Sequence, residues 1–359
     1  MRLLMTLLIS SLISSIGISE TEPTCSHLKT SRTMIENPRP MTRNQQDYDI
    51  KYYDLDLQIF PNSEEISGTV GGLLESKVDN LDHVELDLAY ELSVSLVTDH
   101  FGHELDFTHS SNDILDIELF ISIDEGVQTG FIVHYSGHPP ESGFGSFGFS
   151  QHNGEHMIWS LSEPYGARNW WPCKDAPIDK ADSVDISIRV PTGLIVASNG
   201  LLVDVDNDNG WSNYHWEERY PITTYLVSVA IHPYTVYYDW FHYGENDSMR
   251  LDYYVYPDHY EDVQYNYSLT NDMMTGFSDR FGLYPFINEK YGHAEFVWGG
   301  GMEHQTITSM GGYSQFLIAH ELAHMWWGDM VTCANFHHIW LNEGFATYGQ
   351  AMWEEIRDG

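Results

Sequence analysis

Apolar and polar residues alternate from residue 47 to about residue 235, which is the pattern of strands that bury one face. The alternation is clear in YDIKYYDLDLQIF, DHVELDLAYELSVSLV, SVDISIRVP and TYLVSVAI, and turn-forming clusters such as PNSEEISG and DVDNDNG separate such runs. Because successive side chains of a strand point to opposite faces, each run collects its apolar residues on one side of a sheet. The pattern predicts a twisted, mostly antiparallel β domain over residues 47–248.

The hydrophobic period becomes helical after about residue 248. Apolar residues recur at three- and four-residue spacing in DVQYNYSLTNDMMTGFSDRFG and in YSQFLIAHELAHMWWG, and GQAMWEEIRDG also reads as helix. Gly328 is well placed to end the second of these helices. The chain is therefore predicted to be an α+β protein of two domains, the second being helix-rich and covering residues 249–359.

The first 46 residues do not look like part of either domain. MRLLMTLLISSLISSIGISE combines Arg2, a short apolar run and small residues, which is typical of a secretory signal peptide over residues 1–20. Residues 21–46 are polar, Pro-containing and aperiodic, and predict a flexible leader. A secreted or periplasmic protein is expected, with a membrane anchor as the minor alternative because serines interrupt the short apolar run.

The charge balance limits the classes of partner. The chain has 53 acidic and 16 basic residues and a formal net charge of −37. Such a surface repels phosphate groups, so we expect no nucleic-acid partner and no stable membrane insertion. Of the three cysteines, Cys25 falls in the leader, and two unpaired buried thiols are favoured over a bridge between Cys173 and Cys333.

The segment from His320 to His324 reads H-E-L-A-H within a helical pattern. Residues four apart lie on one helix face, so both imidazoles can bind one Zn²⁺, and Glu321 projects beside them where it can take a proton from a metal-bound water. The surrounding residues are apolar and predict that the helix is buried. Buried histidines need a polar partner, and a metal provides one. One zinc ion per chain is expected.

The third ligand distinguishes the classes of zinc peptidase. A metzincin would carry Gly at position 327 and His at position 330, whereas this chain has Trp327 and Met330, which excludes that class. His337 and His338 fall in the connecting loop and are expected to be surface or supporting residues. Glu343 follows the motif after eighteen intervening residues, and this spacing resembles the M1 family of zinc aminopeptidases, which are gluzincins. The resemblance implies that Glu343 is the third ligand.

Two further segments carry the resemblance. GGMEH is similar to the family's Gly-x-Met-Glu-Asn motif, with His304 where Asn is usual. The resemblance implies that Glu303 binds the α-amino group of the substrate, and a carboxylate fixed near zinc can hold a cationic amine by a charge-assisted hydrogen bond. It also implies that the substrate cleft is lined by Gly300, Gly301 and Met302.

SLSEPYGARNWWPCKDAP, residues 160–177, resembles the family segment at the cleft-facing edge of the β domain. The resemblance implies that Glu163 supplies the second amine-binding group, and the spacing is preserved to Arg168, Pro172, Cys173, Asp175 and Pro177. The domain layout of this chain also resembles that of the M1 family, from about residue 47 to residue 359. It implies a saddle-like β domain followed by a thermolysin-like zinc-peptidase domain that is incomplete at its C-terminal end.

The resemblance implies a zinc-dependent aminopeptidase whose partners are peptides with a free amino terminus. Glu321 would be the general base, and Asp329 either orients a ligand imidazole or is a helix-end charge. The alternatives are a thermolysin-like endopeptidase and a non-catalytic peptide-binding protein. An epoxide-hydrolysing relative is disfavoured because the known case carries Gln at the position of Glu163.

The family's oxyanion-stabilising tyrosine is expected beyond residue 359, since Tyr348 lies too close to Glu343 along the helix. We therefore expect an amino-terminal part of a longer protein that is unstable and weakly active by itself. The oligomeric state and the preferred amino-terminal side chain do not follow from the sequence.

Overall fold

The structure, a computed structural model, describes residues 41–359. The predicted signal peptide, residues 21–40 of the predicted leader and Cys25 lie outside the described residues. The strands of the described part are β1 (Tyr48–Phe60), β2 (Glu65–Ser76), β3 (Leu81–Asp87), β4 (Ser93–Asp99), β5 (Phe107–Ser110), β6 (Ile114–Ile123), β7 (Gln128–Gly137), β8 (Ser146–His152), β9 (Glu155–Leu161), β10 (Ser183–Pro191), β11 (Ile195–Ser198), β12 (Leu201–Asp208), β13 (Trp211–Glu218), β14 (Val229–His232), β15 (Thr235–His242), β16 (Ser248–Val255), β17 (Lys290–Glu295), β18 (Gly301–Met302) and β19 (Thr308–Met310).

The α-helices of the described part are α1 (Tyr260–Phe281), α2 (Gln315–His324) and α3 (Trp340–Asp358). None of these helices is long and apolar enough to cross a membrane. Short 3-10 helices cover Asn44–Gln46, Ala167–Asn169, Thr224–Leu226 and Phe336–His338.

The amino-terminal region is built on a seven-stranded sheet in the order β12-β13-β10-β1-β2-β7-β4. A four-stranded sheet, β11-β14-β9-β8, and a three-stranded sheet, β3-β6-β5, complete it. The pairing is antiparallel except between β1 and β10, where Tyr52 lies opposite Ser183 in a parallel register. Alternate residues of β1, such as Leu55 and Leu57, are completely buried, as the period-two pattern predicts.

The second region combines the three helices with a five-stranded sheet in the order β15-β16-β17-β19-β18. The α+β class is therefore confirmed, although the part after residue 248 also contains four strands and is less purely helical than the periodicity suggests. The predicted domain boundary at residue 248 falls between the paired strands β15 and β16. Strands β15 and β16 belong to one sheet, so residue 248 does not separate two sheets. The domain boundary at that residue stays a prediction.

Helix α2 ends earlier than the sequence suggests. It begins after Ser314, whose Oγ accepts a hydrogen bond from Leu317 N at 3.2 Å. It ends at His324, four residues before Gly328, so the prediction that the glycine ends the helix is wrong. Directly after His324 the backbone hydrogen bonds tighten to a three-residue spacing, with Met325 N donating to Leu322 O at 3.2 Å. A regular four-residue pattern is not resumed, because Asp329 N donates five residues back to His324 O at 3.0 Å.

A buried ionic network holds residues 160–177 against the β region. The Arg168 guanidinium donates to Asp87 Oδ1 at 3.1 Å and to Asp175 Oδ2 at 3.0 Å. Thr224 Oγ1 donates to the other oxygen of Asp175 at 3.1 Å. Cys173 lies in the same segment and is buried, as is Cys333, and no disulfide joins them, so the prediction favouring two buried thiols over a bridge is confirmed.

We predict that Arg168→Leu destabilises the protein by about 3–5 kcal/mol, because it removes the cation that lies between two buried carboxylates. Urea unfolding followed by circular dichroism measures the change. Arg280→Leu is the control, since Arg280 pairs with Glu355 at 3.5 Å on the surface and such pairs contribute about 0–1 kcal/mol. Equal effects of the two substitutions would contradict the prediction.

Candidate metal centre and active site

The two histidines of the H-E-x-x-H segment and Glu343 converge on one point. Nε2 of His320 lies 3.2 Å from Nε2 of His324 and 3.2 Å from Glu343 Oε2, and His324 Nε2 lies 3.5 Å from Glu343 Oε1. Tetrahedral zinc with bonds of about 2.0–2.1 Å separates its ligand atoms by roughly 3.3 Å. The three side chains therefore fit one zinc ion and leave a fourth position open.

Close packing of α2 on α3 brings these ligands together. His320 and His324 are one helical turn apart, while Glu343 lies in the first turn of α3. A Cβ atom at Gly349 would lie 2.5 Å from Cβ of Ala323, so glycine is what allows the helices to approach this closely. The position of Glu343 thus depends on a contact six residues further along α3.

The loop between α2 and α3 is tied to a buried tyrosine of the amino-terminal region. Asn342 Oδ1 accepts a hydrogen bond from Cys333 N at 3.2 Å, and its Nδ2 donates to the phenol of Tyr225 at 3.2 Å. The same phenol lies 3.0 Å from Thr332 Oγ1. These contacts fix the start of α3 and hence the third ligand.

The orientation of His324 is set by the backbone. Its Nδ1 lies 3.2 Å from the carbonyl oxygen of Trp327, so Nδ1–H donates there and the Nε2 lone pair is left for a metal. Gly328 has a φ of +148°, and a Cβ atom on it would lie 2.9 Å from His324 Nδ1. Gly328 therefore gives clearance to the imidazole rather than ending the helix.

Strand β18 passes directly over the predicted general base. A Cβ atom at Gly301 would lie 2.4 Å from Glu321 Oε1, so only glycine allows this approach. Gly300 adopts a φ of +123°, and its carbonyl accepts a hydrogen bond from Gly311 N at 2.7 Å. Met302 is completely buried in the hydrophobic core. Its side chain therefore packs in the core, and the place of this segment in the substrate cleft stays a prediction.

Glu303 lies beside the metal ligands. Its Oε1 is 3.8 Å from His324 Nδ1, and atoms of Glu303, Glu321 and His324 lie within 4.8 Å of one another. Both carboxylates are completely buried. Two buried carboxylates at this distance favour a cation near them. An ammonium group is a cation of suitable size and hydrogen-bonding capacity.

Hydrogen bonds hold the segment that contains Glu303 against the amino-terminal region. Asn199 Nδ2 donates to Gln305 O at 2.6 Å, and Gly200 N donates to Thr306 Oγ1 at 2.8 Å. His304 Nδ1 lies 2.8 Å from Ser309 Oγ. Burial lowers the pKa of His304 to about 3, so this histidine is neutral and adds no charge next to Glu303.

Glu163 is almost completely buried after the end of β9. Burial is the main reason for the raised pKa of the Tyr225 phenol, and the charges of Glu303 and Glu163 raise this pKa further. Both predicted amine anchors therefore act electrostatically on one phenol. Their role in binding an amine stays a prediction.

Asp329 does not orient a ligand imidazole. Its side-chain oxygens have no hydrogen-bond partner among the described residues, and Trp327 O accepts from His324 instead. Burial, followed by the charge of Glu303, raises the pKa of the Asp329 carboxyl. Lys180 Nζ donates to the backbone carbonyls of Asp329 and Met330, the latter at 3.1 Å. Lysine at this position thus holds the turn that follows α2.

The remaining histidines of the motif region are exposed. His337 and His338 lie in a 3-10 helix between α2 and α3, and neither belongs to the ligand group of His320. Tyr348 is also exposed, at 58%. The supporting residues Tyr225, Asn342 and Lys180 were not identified from the sequence, because their contacts join segments that are far apart along the chain.

Comparison with protein families agrees with this geometry. Residues 50–226 match the peptidase M1 N-terminal domain, and residues 303–358 match the peptidase family M1 domain, which contains the three ligands. The chain belongs to the M1 peptidase family. The second match covers the helices α2 and α3 that form the candidate metal centre.

The relatives that this chain matches include proteins named aminopeptidases. Aminopeptidase M1 of Arabidopsis thaliana is 27% identical over 55% of this chain and 24% of its own length. Endoplasmic reticulum aminopeptidase 1 of Homo sapiens is 26% identical over 62% of this chain and 26% of its own length. This chain therefore spans about a quarter of the length of the curated relatives it matches.

Solved structures of M1 proteins have the same fold. The M1 zinc metallopeptidase of Deinococcus radiodurans superimposes with a TM-score of 0.76 at 27% identity, covering 87% of this chain and 71% of that one. A mutant of that enzyme was solved with a Tyr-Ser-Ala substrate. The yeast LTA4 hydrolase superimposes with a TM-score of 0.71 at 22% identity, which shows a shared fold.

We predict that Glu343→Gln and His320→Asn each remove one equivalent of bound zinc. Each substitution deletes one of the three ligands of the candidate metal centre, which are His320, His324 and Glu343. Zinc per chain, measured by elemental analysis after dialysis, is the readout. His337→Asn and His338→Asn are matched controls on the neighbouring loop and should leave zinc content unchanged. Loss of zinc in the controls, with retention in Glu343→Gln, would move the ligand role to the loop histidines.

Proposed function

We propose that this protein is a zinc-dependent aminopeptidase that removes amino-terminal residues from peptides. The observation that carries the proposal is the ligand triangle of His320, His324 and Glu343, with the carboxylates of Glu321 and Glu303 buried beside it. The relatives named aminopeptidases support it, as does the M1 metallopeptidase solved with a tripeptide substrate. The ligand set fits zinc in number, chemistry and spacing.

The chain's own residues divide the reaction between them. Zinc, when bound, supplies Lewis acidity that makes a coordinated water acidic. Glu321 accepts a proton from the attacking water and later gives it to the leaving amine. Its burial under Gly301 keeps bulk water from competing for that proton.

Substrate selection follows from the two other buried carboxylates. Glu303 and Glu163 bind the free α-ammonium group by charge-assisted hydrogen bonds. An ammonium held at Glu303 lies next to the metal ligands, because Glu303 itself is 3.8 Å from His324. A peptide held by its amino terminus this close to the metal ligands is cleaved after its first residue. This arrangement favours an aminopeptidase over an endopeptidase.

We predict that Glu321→Gln lowers kcat for leucine anilide by about 10²–10⁴-fold, since the general base is lost. Zinc content should be unchanged, because the substitution deletes no ligand. Glu354→Gln, at an exposed position of α3, is the matched control and should keep full activity. Turnover by zinc-loaded Glu321→Gln equal to that of the unsubstituted chain would refute the assignment of Glu321 as the general base.

We predict that Glu303→Gln lowers kcat/KM for peptides with a free amino terminus by about 10–100-fold, the value of a hydrogen bond to a charged group. Rates for the same peptides with an acetylated amino terminus should be low in both proteins and nearly equal. The preference for free over blocked peptides therefore shrinks in the variant. An unchanged preference would show that Glu303 does not recognise the amine, and faster cleavage of blocked peptides would indicate an endopeptidase.

A further inference from the structure

A second group of metal-binding side chains lies outside the proposed active site. It consists of His152 at the end of β8, Asp258 and His259 just before α1, and Glu295 at the end of β17. One ligand atom from each of His152, Asp258 and His259 lies within 4.8 Å of the other two. These residues come from both the amino-terminal β region and the region that carries the zinc triangle.

The carboxylate of Asp258 lies between the two imidazoles. His152 Nε2 is 2.9 Å from Asp258 Oδ1, and His259 Nε2 is 3.9 Å from Asp258 Oδ2. Ligand atoms around tetrahedral zinc are separated by roughly 3.3 Å. The observed separations bracket that value, so movements of about half an ångström would bring all three groups onto one ion.

A buried carboxylate orients one of the imidazoles. Glu295 Oε1 lies 2.9 Å from His259 Nδ1 and is buried, with 4% of its side chain exposed. The other oxygen of Glu295 accepts a hydrogen bond from Tyr256 N at 2.5 Å. Because Nδ1–H donates to a fixed carboxylate, the Nε2 lone pair of His259 points toward Asp258. This carboxylate–histidine arrangement is the one that supports histidine ligands in metal sites.

His152 is also held in place. Its ring stacks on Tyr256 with a centroid distance of 3.8 Å and an interplanar angle of 9°. Asn153 Nδ2 donates to Asp258 Oδ2 at 2.7 Å and so fixes the carboxylate. The side chains of His152, His259 and Asp258 are 20%, 34% and 47% exposed, which gives an ion access from solvent and leaves room for a water ligand.

We propose that His152, Asp258 and His259 form a second zinc site that links the β8–β9 hairpin to the start of α1, with Glu295 as a positioning residue. Two imidazoles and one carboxylate are a ligand set that zinc accepts. The site shares no residue with the triangle of His320, His324 and Glu343. It does not depend on the proposed peptidase activity, and bound zinc would cross-link the two regions.

A control group exists in the same chain. His83, Glu85 and Asp116 also approach within 4.8 Å of one another. However, this group has one imidazole, and Nδ1 of that ring lies 2.7 Å from the exposed neighbour Asp82. It lacks the second histidine and the buried positioning carboxylate, so it is expected to bind zinc only weakly.

Zinc titration of the chelator-treated 359-residue chain, followed by isothermal calorimetry and elemental analysis, tests the proposal. We expect about two equivalents of zinc for the unsubstituted chain and about one for His152→Asn and for His259→Asn. Glu295→Gln should weaken the second equivalent by about 10–100-fold. His83→Asn should still bind two. In each variant, retention of the first equivalent shows that the protein is folded.

Thermal unfolding gives a second readout that does not depend on activity. In the His320→Asn background, added zinc should still raise Tm, and further substitution of His152 should abolish that rise. One equivalent in the unsubstituted chain would overturn the proposal. So would an equal loss of zinc in His83→Asn and His259→Asn, which would indicate adventitious binding to surface histidines.

Discussion

The candidate active site depends on the burial of several carboxylates around one end of α2. Glu321 and Glu303 are completely buried next to His324, and Asp329 is buried one turn further on. The desolvation of a carboxylate costs several kcal/mol unless cations or donors compensate it. The ligand triangle and the space beside it therefore favour the binding of cations. A divalent metal and a substrate ammonium group are the cations that this region would stabilise.

Close approaches of backbone and side chain make this concentration possible. Gly301 lets β18 pass over Glu321, Gly328 leaves room for His324, and Gly349 lets α3 approach α2. At each of these positions a Cβ atom would come within 3.0 Å of a functional side chain or of a residue next to one. The geometry of the site therefore depends on three glycines that take no part in the reaction themselves.

The amino-terminal β region contributes to the same site. Tyr225 holds Asn342 at the start of α3, Lys180 holds the turn after α2, and Asn199 holds the segment that carries Glu303. The ionic network around Arg168 in turn fixes the segment that contains Glu163. Although it provides no zinc ligand of the triangle, this region positions the groups that surround the metal.

The sequence by itself determined the local features of this protein. Strand and helix periods predicted the α+β class, and the four-residue spacing predicted that His320 and His324 share one helix face. These features depend on neighbours along the chain or on a single helix face, which periodicity reports. The resemblance to the M1 family implied Glu343 as the third ligand, and the packing of α3 on α2 brings it to the two histidines. Tertiary structure decided where α2 ends, that Met302 points into the core, and that Trp327 rather than Asp329 orients His324. It also brought His152 to His259 across 107 residues of chain. Contacts of this kind join segments that are far apart along the chain, and nothing in the sequence of one segment indicates the other. Packing, rather than local periodicity, places them side by side.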